Sequence, residues 1–263
     1  MRFSIIIPNY NSEKWIEKLL DSICEQTYID YEVIVVDDMS EDSSVEIVEN
    51  YGDKFEGDFK LIQQGEKRWN GGSRNVGVEY AEGDYIIFAD CDDWFSDKYC
   101  LEEIARIIDR DKPDLVRLPY SFIIGNYQKA MLLKEKTPQE LIKSIFVAPW
   151  TKCIKRQLFV PFPENTLIED VVQHIAQIDR IETISVCEKP IIVWNRSNPE
   201  AISATGHKYG IEDKRYSSIY RQLADLLDLR CKHDYCESER QKRIAFYFDI
   251  VHNSKEGTIV ERG

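Results

Sequence analysis

Residues 85–94 read YIIFADCDDW. An uncharged, mostly apolar run ends abruptly on Asp90, Asp92 and Asp93. A short apolar run without polar alternation reads as a β-strand covered on both faces, as in parallel sheets. Carboxylates crowded at the end of a buried strand are costly to desolvate, so the stretch calls for a cation or a ligand. In open α/β sheets, ligands bind outside the carboxyl ends of the strands. A strand that ends in acid is therefore a fold signal and a site signal together.

The flanking sequence repeats the pattern. FSIII (3–7) is an apolar run ended by Pro8. In NSEKWIEKLLDSICEQ (11–26), Ile16, Leu19, Leu20 and Ile23 recur at helical spacing, and Asn11 or Ser12 can cap that helix. YEVIVVDD (31–38) is a second strand ending in acid, and SEDSSVEIVENYG (40–52) supplies capping residues, a short helix and a stop at Gly52. FKLIQQ (59–64) is a third strand, GGSRNVGVEYAEG (71–83) turns into a helix that stops at Gly83, and residues 85–90 are the fourth strand. Leu101, Ile104, Ala105 and Ile108 stripe the next helix, and DLVRLPY (114–120) is a fifth strand. Strand and helix thus alternate to about residue 119, predicting a mostly parallel sheet with Asp37–Asp38 and Asp90–Asp93 on one rim.

The second half is less regular. SFIIGNYQKAMLL (121–133) reads as a hairpin or a pair of strands, and TPQELIKSIF (137–146) opens with a capping box of Thr137, Pro138 and Glu140. IEDVVQHIAQID (168–179) is helical, and ETISVCEKPIIVWNR (182–196) gives two short strands around Lys189–Pro190. KRYSSIYRQLADLLDL (214–229) and RQKRIAFYFDIVHN (240–253) read as C-terminal helices. We divide the chain into an α/β half (1–120), a second half of the same domain (121–205) and a helical extension (206–263).

With 263 residues, the chain can bury a large core without disulfides or structural metal. A net charge of −13 excludes nucleic acid and anionic membrane as default partners. The mixed-sign stretch ESERQKRIAFYF reads as a solvated helix face, which leaves room for no more than a peripheral membrane contact. The seven cysteines are odd in number and form no C-x-x-C pair, so they read as core thiols of a cytoplasmic protein, although Cys231 and Cys236 are close enough in sequence to pair. No signal peptide or 18-residue apolar stretch is evident, so no transmembrane segment is expected. Nothing in the sequence chooses between a monomer and a homodimer.

Asp90, Asp92 and Asp93 are hard oxygen donors that suit Mg²⁺ or Mn²⁺, and such ions commonly keep substrate phosphates in their shell. D-x-D at a strand end therefore suggests a metal-held nucleoside diphosphate. A plainer reading is an acidic helix N-terminus, since DDWFSDKYC leads toward a helix. D-x-D alone does not decide between the two.

The ordered set IIIPNYN, VIVVDDMSED, GGSRNVG and GDYIIFADCDD closely resembles the inverting GT-A glycosyltransferases of family 2, densely over residues 3–120 and loosely over 145–200. The resemblance implies a Rossmann-like GT-A fold and a sugar transferase that uses a nucleotide-sugar donor, with Mn²⁺ or Mg²⁺ as cofactor. It implies that Tyr10, flanked by Pro8 and Asn11, contacts the nucleobase, and that Asp38 accepts the base N–H. Asp37 orients the loop or the ribose, and the competing reading of that pair is a helix-capping turn. Arg74 contacts the diphosphate or braces the aspartates, and Asn75 holds the loop. Gly71–Gly72 carry little information, and Trp69 reads as a packed aromatic.

By the same resemblance one of Asp92 and Asp93 is the metal ligand and the other contacts ribose or water; we take Asp92 and Asp93 as the primary metal pair, with Asp90 supporting. Asp170, in TLIEDVVQHI, is the general base, with Glu169 beside it and His174 one turn on. A softer likeness puts Trp150 and Lys152 on the acceptor side and Arg196 and Ser203 in a late loop, with His207 as a distant candidate for the metal shell. The implied acceptor is a hydroxyl of a glycan or lipid-linked glycan, met at the inner membrane face. A haloacid-dehalogenase-type phosphatase fits poorly, because its D-x-D follows the first strand. A GT-A-like nucleotidyltransferase fits poorly too, because such enzymes usually carry a glycine-rich, basic loop after the first strand and PNYNSEKW has no glycine there. A catalytically inactive GT-A-like binding module would not need Tyr10, Asp38, Asp92, Asp93 and Asp170 together.

Overall fold

The computed structural model describes residues 3–143, 147–164, 166, 169–199, 201 and 223–255, with side chains described to residue 248. Its first half alternates β1 (Phe3–Asn9), α1 (Ile16–Cys24), β2 (Tyr31–Asp37), α2 (Ser44–Glu49), β3 (Asp58–Gln63), α3 (Trp69–Glu79) and β4 (Tyr85–Phe88). Then follow β5 (Trp94–Phe95), α4 (Cys100–Asp111), β6 (Leu115–Arg117), β7 (Tyr120–Ile124), β8 (Tyr127–Met131), α5 (Pro138–Leu141) and β9 (Lys152–Lys155). The described chain continues with α6 (Asp170–Ile178), β10 (Ile184–Val186), β11 (Ile192–Asn195) and α7 (Asp234–Lys255).

The main sheet has seven strands in the order β10-β6-β9-β4-β1-β2-β3. β1 to β4 run parallel, as the apolar runs require. Every residue of β1 and β2 is buried. The α1 stripe Ile16, Leu19, Leu20 and Ile23 is buried against the sheet, as is the α4 stripe Leu101, Ile104, Ala105 and Ile108. Each such large side chain stabilises the fold by about 1.5–3 kcal/mol. Because the chain steps from β3 back across β1 to β4, the strand order reverses between β1 and β4. That reversal opens a crevice at the carboxyl ends of the strands, where Tyr10, Asp38 and Asp90 lie.

Several sequence expectations need correction. Pro8 does not end β1, because it pairs with Val36 of β2. The last β4 partner of β1 is Ile6, opposite Phe88, so the missing proline N–H costs no ladder bond. Neither Asn11 nor Ser12 caps α1: the Ser12 hydroxyl turns to Asn9, and the Asn11 amide oxygen accepts from the Glu41 N–H. DLVRLPY is two strands, β6 in the main sheet and β7 in a second one, separated by Leu118–Pro119. KCIK was not expected as a strand, yet β9 inserts antiparallel between β4 and β6.

The second sheet has the order β5-β11-β7-β8. β7 and β8 form the expected hairpin, turning at Gly125 with φ +56°. The capping box at Thr137 is present, and the two short strands around Lys189–Pro190 are β10 and β11. α7 packs on α6 through Cys236, Ile244 and Tyr247. Cys231 and Cys236 are both free thiols. Among the described residues, no helix is long and apolar enough to cross a membrane.

α3 lies directly on β1. A Cβ on Gly77 would run into the Ile6 Cγ2 atom, which belongs to a fully buried side chain. Gly77→Val is therefore expected to cost about 1–3 kcal/mol by overpacking. The gain in helix propensity over glycine is only a few tenths of that scale. Equilibrium urea denaturation checks it: the midpoint should fall while the slope stays constant.

Candidate functional site

The rim is assembled from the segments that follow β1, β2, β3, β4 and β11 and from the one that precedes α6. After β1, Tyr10 stands 48% exposed, while Asn9 is buried and donates to Asp37 Oδ1 at 2.7 Å. Asp37 also accepts from the Ser40 hydroxyl at 2.5 Å and the Ser40 N–H at 3.0 Å. Asp37 thus builds the loop. Asp38 reaches instead to the start of α3, accepting from the Arg68 N–H at 2.7 Å, the Trp69 N–H at 2.9 Å and Gln64 Nε2 at 3.0 Å. Those bonds satisfy donors that a helix start leaves open. Asn11, Met39 and Trp69 all take positive φ around this point, at 48°, 66° and 60°. Left-handed non-glycine residues are costly and cluster where a surrounding structure enforces them, typically at binding sites.

Lys67 joins the two halves of this corner. Its ammonium lies over the Tyr10 ring and 3.4 Å from Asp38 Oδ2. It was not singled out from the sequence, where it appears as one lysine in a charged loop.

The acidic stretch forms a tight turn, with the Asp93 N–H donating to the Asp90 carbonyl at 3.0 Å. It is not a helix N-terminus, since β5 separates it from α4. Cys91 points inward and its thiol donates to the Pro8 carbonyl at 3.1 Å, tying the ends of β4 and β1 together. Asp90 accepts from Arg74 Nη2 at 2.8 Å. Asp93 is 2% exposed and accepts from the Asn195 N–H of β11 at 2.8 Å, and Asp92 accepts from Asn198 Nδ2 at 2.7 Å. Asn198 lies in the late stretch WNRSNPEAIS, two residues after Arg196. Burial raises the Asp93 carboxyl well above its ordinary range, with the Asp92 and Asp90 charges adding to the effect. Asp92 is also raised, by burial and by Asp90, against the Asn198 hydrogen bond.

Arg74, on α3, is 2% exposed and holds two carboxylates: Asp90 and, through Nη1 at 2.5 Å, Glu169 Oε1. Gly71 permits this approach, because a Cβ there would meet the Pro163 carbonyl at 2.9 Å and Glu169 Cγ at 3.0 Å. The glycine pair is thus informative after all. Asn75 exchanges two hydrogen bonds with the Phe162 backbone and pins the same segment. Glu169 is buried, and burial pushes its carboxyl up to about 7 against the pull of Arg74. Asp170 opens α6 and is only partly covered. Burial raises it too, with Lys152 and Arg74 opposing.

The residues expected on the acceptor side do not face solvent. Trp150 is 4% exposed and packs its ring at 5.2 Å from Tyr120 and 6.0 Å from Trp194. Lys152 is fully buried in β9 and donates to the Val147 and Ala148 carbonyls. His174 is buried with Nε2 at 3.3 Å from the Leu141 carbonyl, and burial keeps the ring neutral. Arg196 is exposed and stacks over Trp194 and Phe122. Ser203 and His207 lie outside the described residues.

Among the described residues, no three His, Cys, Asp or Glu side chains converge as a protein-built metal cage. A magnesium-type ion does not need one, since one or two carboxylates plus substrate phosphates suffice. Asp92 and Asp93 fit that demand: they repel each other, and of the three aspartates it is Asp90 that Arg74 holds.

The glycosyl transferase family 2 profile matches residues 4–158. The poly(ribitol-phosphate) β-N-acetylglucosaminyltransferase TarS of Staphylococcus aureus is 33% identical over 175 residues, covering 63% of this chain and 30% of that protein. The UDP-Glc:α-D-GlcNAc-diphosphoundecaprenol β-1,3-glucosyltransferase WfgD of Escherichia coli is 30% identical over 169 residues, covering 60% of this chain and 62% of WfgD. The chain therefore spans less than two thirds of either relative. The crystal structure of TarS 1–349 in complex with UDP-GlcNAc superposes with a TM-score of 0.76 at 27% identity, covering 94% of this chain and 72% of that one. The mannosyltransferase PcManGT of Pyrobaculum calidifontis, solved with GDP-Man and Mn²⁺, gives a TM-score of 0.64 at 16% identity and covers 98% and 76% of the two chains, a likeness of fold alone. By its profile match and its architecture, the chain belongs to glycosyl transferase family 2 and has the GT-A fold.

Proposed function

We propose that the protein is an inverting glycosyltransferase that moves a hexosyl or N-acetylhexosaminyl group from a UDP-sugar to a hydroxyl of a glycan or lipid-linked glycan. The observation that carries this reading is Arg74. By holding both Asp90 and Glu169, it brings the acidic turn after β4 and the start of α6 to one crevice. Donor chemistry on one wall and a partly open carboxylate on the other is the arrangement that a displacement at an anomeric carbon needs. The relatives support the donor class, as TarS was solved with UDP-GlcNAc and WfgD is named for UDP-Glc. WfgD's named acceptor is a diphosphoundecaprenol-linked sugar, which supports a lipid-linked acceptor here.

In this reading Tyr10 stacks the base, with Pro8 and Asn11 shaping its loop, and Asp38 accepts the base N–H. Asp170 takes the proton of the acceptor hydroxyl as that oxygen bonds to the anomeric carbon. The bond from that carbon to the diphosphate breaks, and its electron pair leaves with the nucleotide. Asp92 and Asp93 would hold Mn²⁺ or Mg²⁺, which supplies positive charge to the departing diphosphate. Glu169 is committed to Arg74 and is buried, which leaves Asp170 as the accessible carboxylate of the pair. Arg74 braces Asp90, and Arg196 lines the outer, acceptor-facing edge.

Asp170→Asn should lower turnover by about 10²–10⁴-fold while calorimetry still detects UDP binding. Full turnover by this variant would remove Asp170 from the mechanism. The raised Asp170 carboxyl must be ionised to accept a proton. Wild-type kcat/KM should therefore fall as pH drops through that raised value, with the limb starting above the ordinary aspartate range. Removing divalent ions with a chelator should weaken UDP binding, and Mn²⁺ should restore it. Arg74→Met should cost about 3–5 kcal/mol in denaturation, because it leaves the buried Glu169 carboxyl without its partner. Adding Glu169→Leu should recover part of that loss.

A further inference from the structure

We infer that the β7–β8 hairpin, at the edge of the second sheet, is a docking surface for an anionic lipid bilayer. Its use in holding a lipid-linked acceptor at the crevice rests on the reading above, whereas the surface itself does not.

The hairpin exposes apolar side chains that the core does not take up. Ile124, Tyr127 and Leu132 are 45%, 58% and 58% exposed. Strand register sorts the neighbours. Phe122 pairs with Lys129 and Ile124 with Tyr127, so these four side chains share one face of the sheet. Tyr120 and Met131, farther down that face, pack into the core, so the face runs out past the core toward the turn. The Phe122 and Tyr127 rings stand 6.0 Å apart. Trp194 of β11 pairs with Phe122, and the Arg196 guanidinium lies over both rings, at 4.9 and 5.5 Å. On the opposite face Gln128 Nε2 donates to the Ser121 hydroxyl at 3.2 Å. Aromatic and aliphatic groups interleaved with cations are thus gathered on one side.

Charge separates this surface from the rest of the molecule. The chain carries −13, yet residues 121–136 hold three lysines, Lys129, Lys134 and Lys136, and a single glutamate. All three lysines are exposed. Glu135 is half-buried, and its charge acts on the buried Arg117 guanidinium. Arg196 arrives from the stretch after β11 as a fourth cation, which only the fold brings here.

An anionic bilayer satisfies both halves of the pattern. Lysine and arginine heads reach lipid phosphates while their stems and the apolar neighbours enter the interface. Basic groups on an acidic protein also orient it, because the remaining surface is repelled. A second copy of the chain fits less well. β8 is an edge strand, and antiparallel pairing of two such edges about their middle residue would set Lys129 against Lys129. Like charges directly opposite each other oppose association.

Position gives the surface its use. β7 runs parallel to β11, so the hairpin turn lies at the end of β11 that meets the acidic turn. The Arg196 N–H donates to the Ile123 carbonyl at 3.0 Å, and the Gly125 N–H donates to the Ser197 hydroxyl at 2.8 Å. Asn198, next in the chain, donates to Asp92. A bilayer held on the hairpin therefore lies beside the crevice, on the side from which a lipid-linked acceptor would enter.

Flotation of the full chain with vesicles tests this, using equal parts phosphatidylglycerol and phosphatidylcholine against phosphatidylcholine alone. The wild type should float with the anionic vesicles and stay behind with the neutral ones. Combined Lys129→Glu, Lys134→Glu and Lys136→Glu should weaken partitioning by about tenfold or more. Ile124→Ser with Tyr127→Ser should weaken it by about tenfold at unchanged charge. Reversing Lys54, Lys98 and Lys112, exposed lysines outside the hairpin, should cost no more than about twofold, because distant charges are screened. Thermal denaturation and calorimetric UDP binding should be the same in all of these chains. A wild type that does not float overturns the inference, as do hairpin variants that float like it. A control reversal as damaging as the hairpin reversal overturns it too. If sedimentation velocity shows a wild-type dimer that Ile124→Ser with Tyr127→Ser dissociates, the face belongs to a second copy and the bilayer is ruled out. A chain that floats as expected but binds no UDP leaves the surface standing and sinks the donor-site reading.

Discussion

Arg74 is the residue on which the rest of the site depends. It is buried on α3 and reaches carboxylates far apart in the chain, Asp90 after β4 and Glu169 before α6. A buried guanidinium is tolerable only when paired, so neither carboxylate can leave without stranding a charge. The helix that carries Arg74 is positioned by close contact. Gly77 lets α3 settle on Ile6 of β1, and Gly71 admits the Glu169 segment. Asn75 adds two hydrogen bonds to the Phe162 backbone. These contacts set the width of the crevice between the acidic turn and Asp170.

The acids of this protein divide by how they are satisfied. Glu32, at the opposite end of β2, accepts from the Ser4 hydroxyl and from the Glu82 and Gly83 N–H groups and pairs with Lys60. Burial pushes its carboxyl up, but those bonds outweigh burial and hold it below its ordinary value. Asp37 accepts from the Ser40 loop, and Asp38 accepts from Gln64 and from the N–H groups that open α3. Asp92 and Asp93 differ. Each accepts a single hydrogen bond from the described residues, and both carboxyls are raised. A group left under-satisfied in this way is where an external cation has most to offer. Beside them, Glu169 is buried and tied to Arg74, while Asp170 is half-buried.

Much of this was legible in the sequence, and the unreadable part has a physical pattern. Apolar runs located β1, β2 and β4 because strands buried on both faces leave an unbroken signature. Helical stripes located α1 and α4. β9 went unseen because four residues flanked by lysines carry no such signature, and Lys152 is buried only because backbone carbonyls meet its ammonium. Trp150 looked like a ligand-facing aromatic, yet it packs between Tyr120 and Trp194, neighbours brought in by β7 and β11 of the second sheet. Lys67 and Asn198 drew no notice, since a lysine in a loop and an asparagine after a strand are unremarkable until the fold sets them beside Tyr10 and Asp92.

By itself, the sequence determined which strands end in acid and that those ends share a rim, because hydrophobic periodicity and strand direction are local properties. It also carried the family resemblance in the order of its motifs. Tertiary structure alone decided the partners of each acid. Asp38 is held by α3, Asp93 by β11, Asp90 by Arg74 and Asp92 by Asn198. The Asp92 and Asp93 contacts span more than 100 residues of chain. No local pattern records such pairings, because the cost of burying a charge is settled by whatever group the fold brings opposite it.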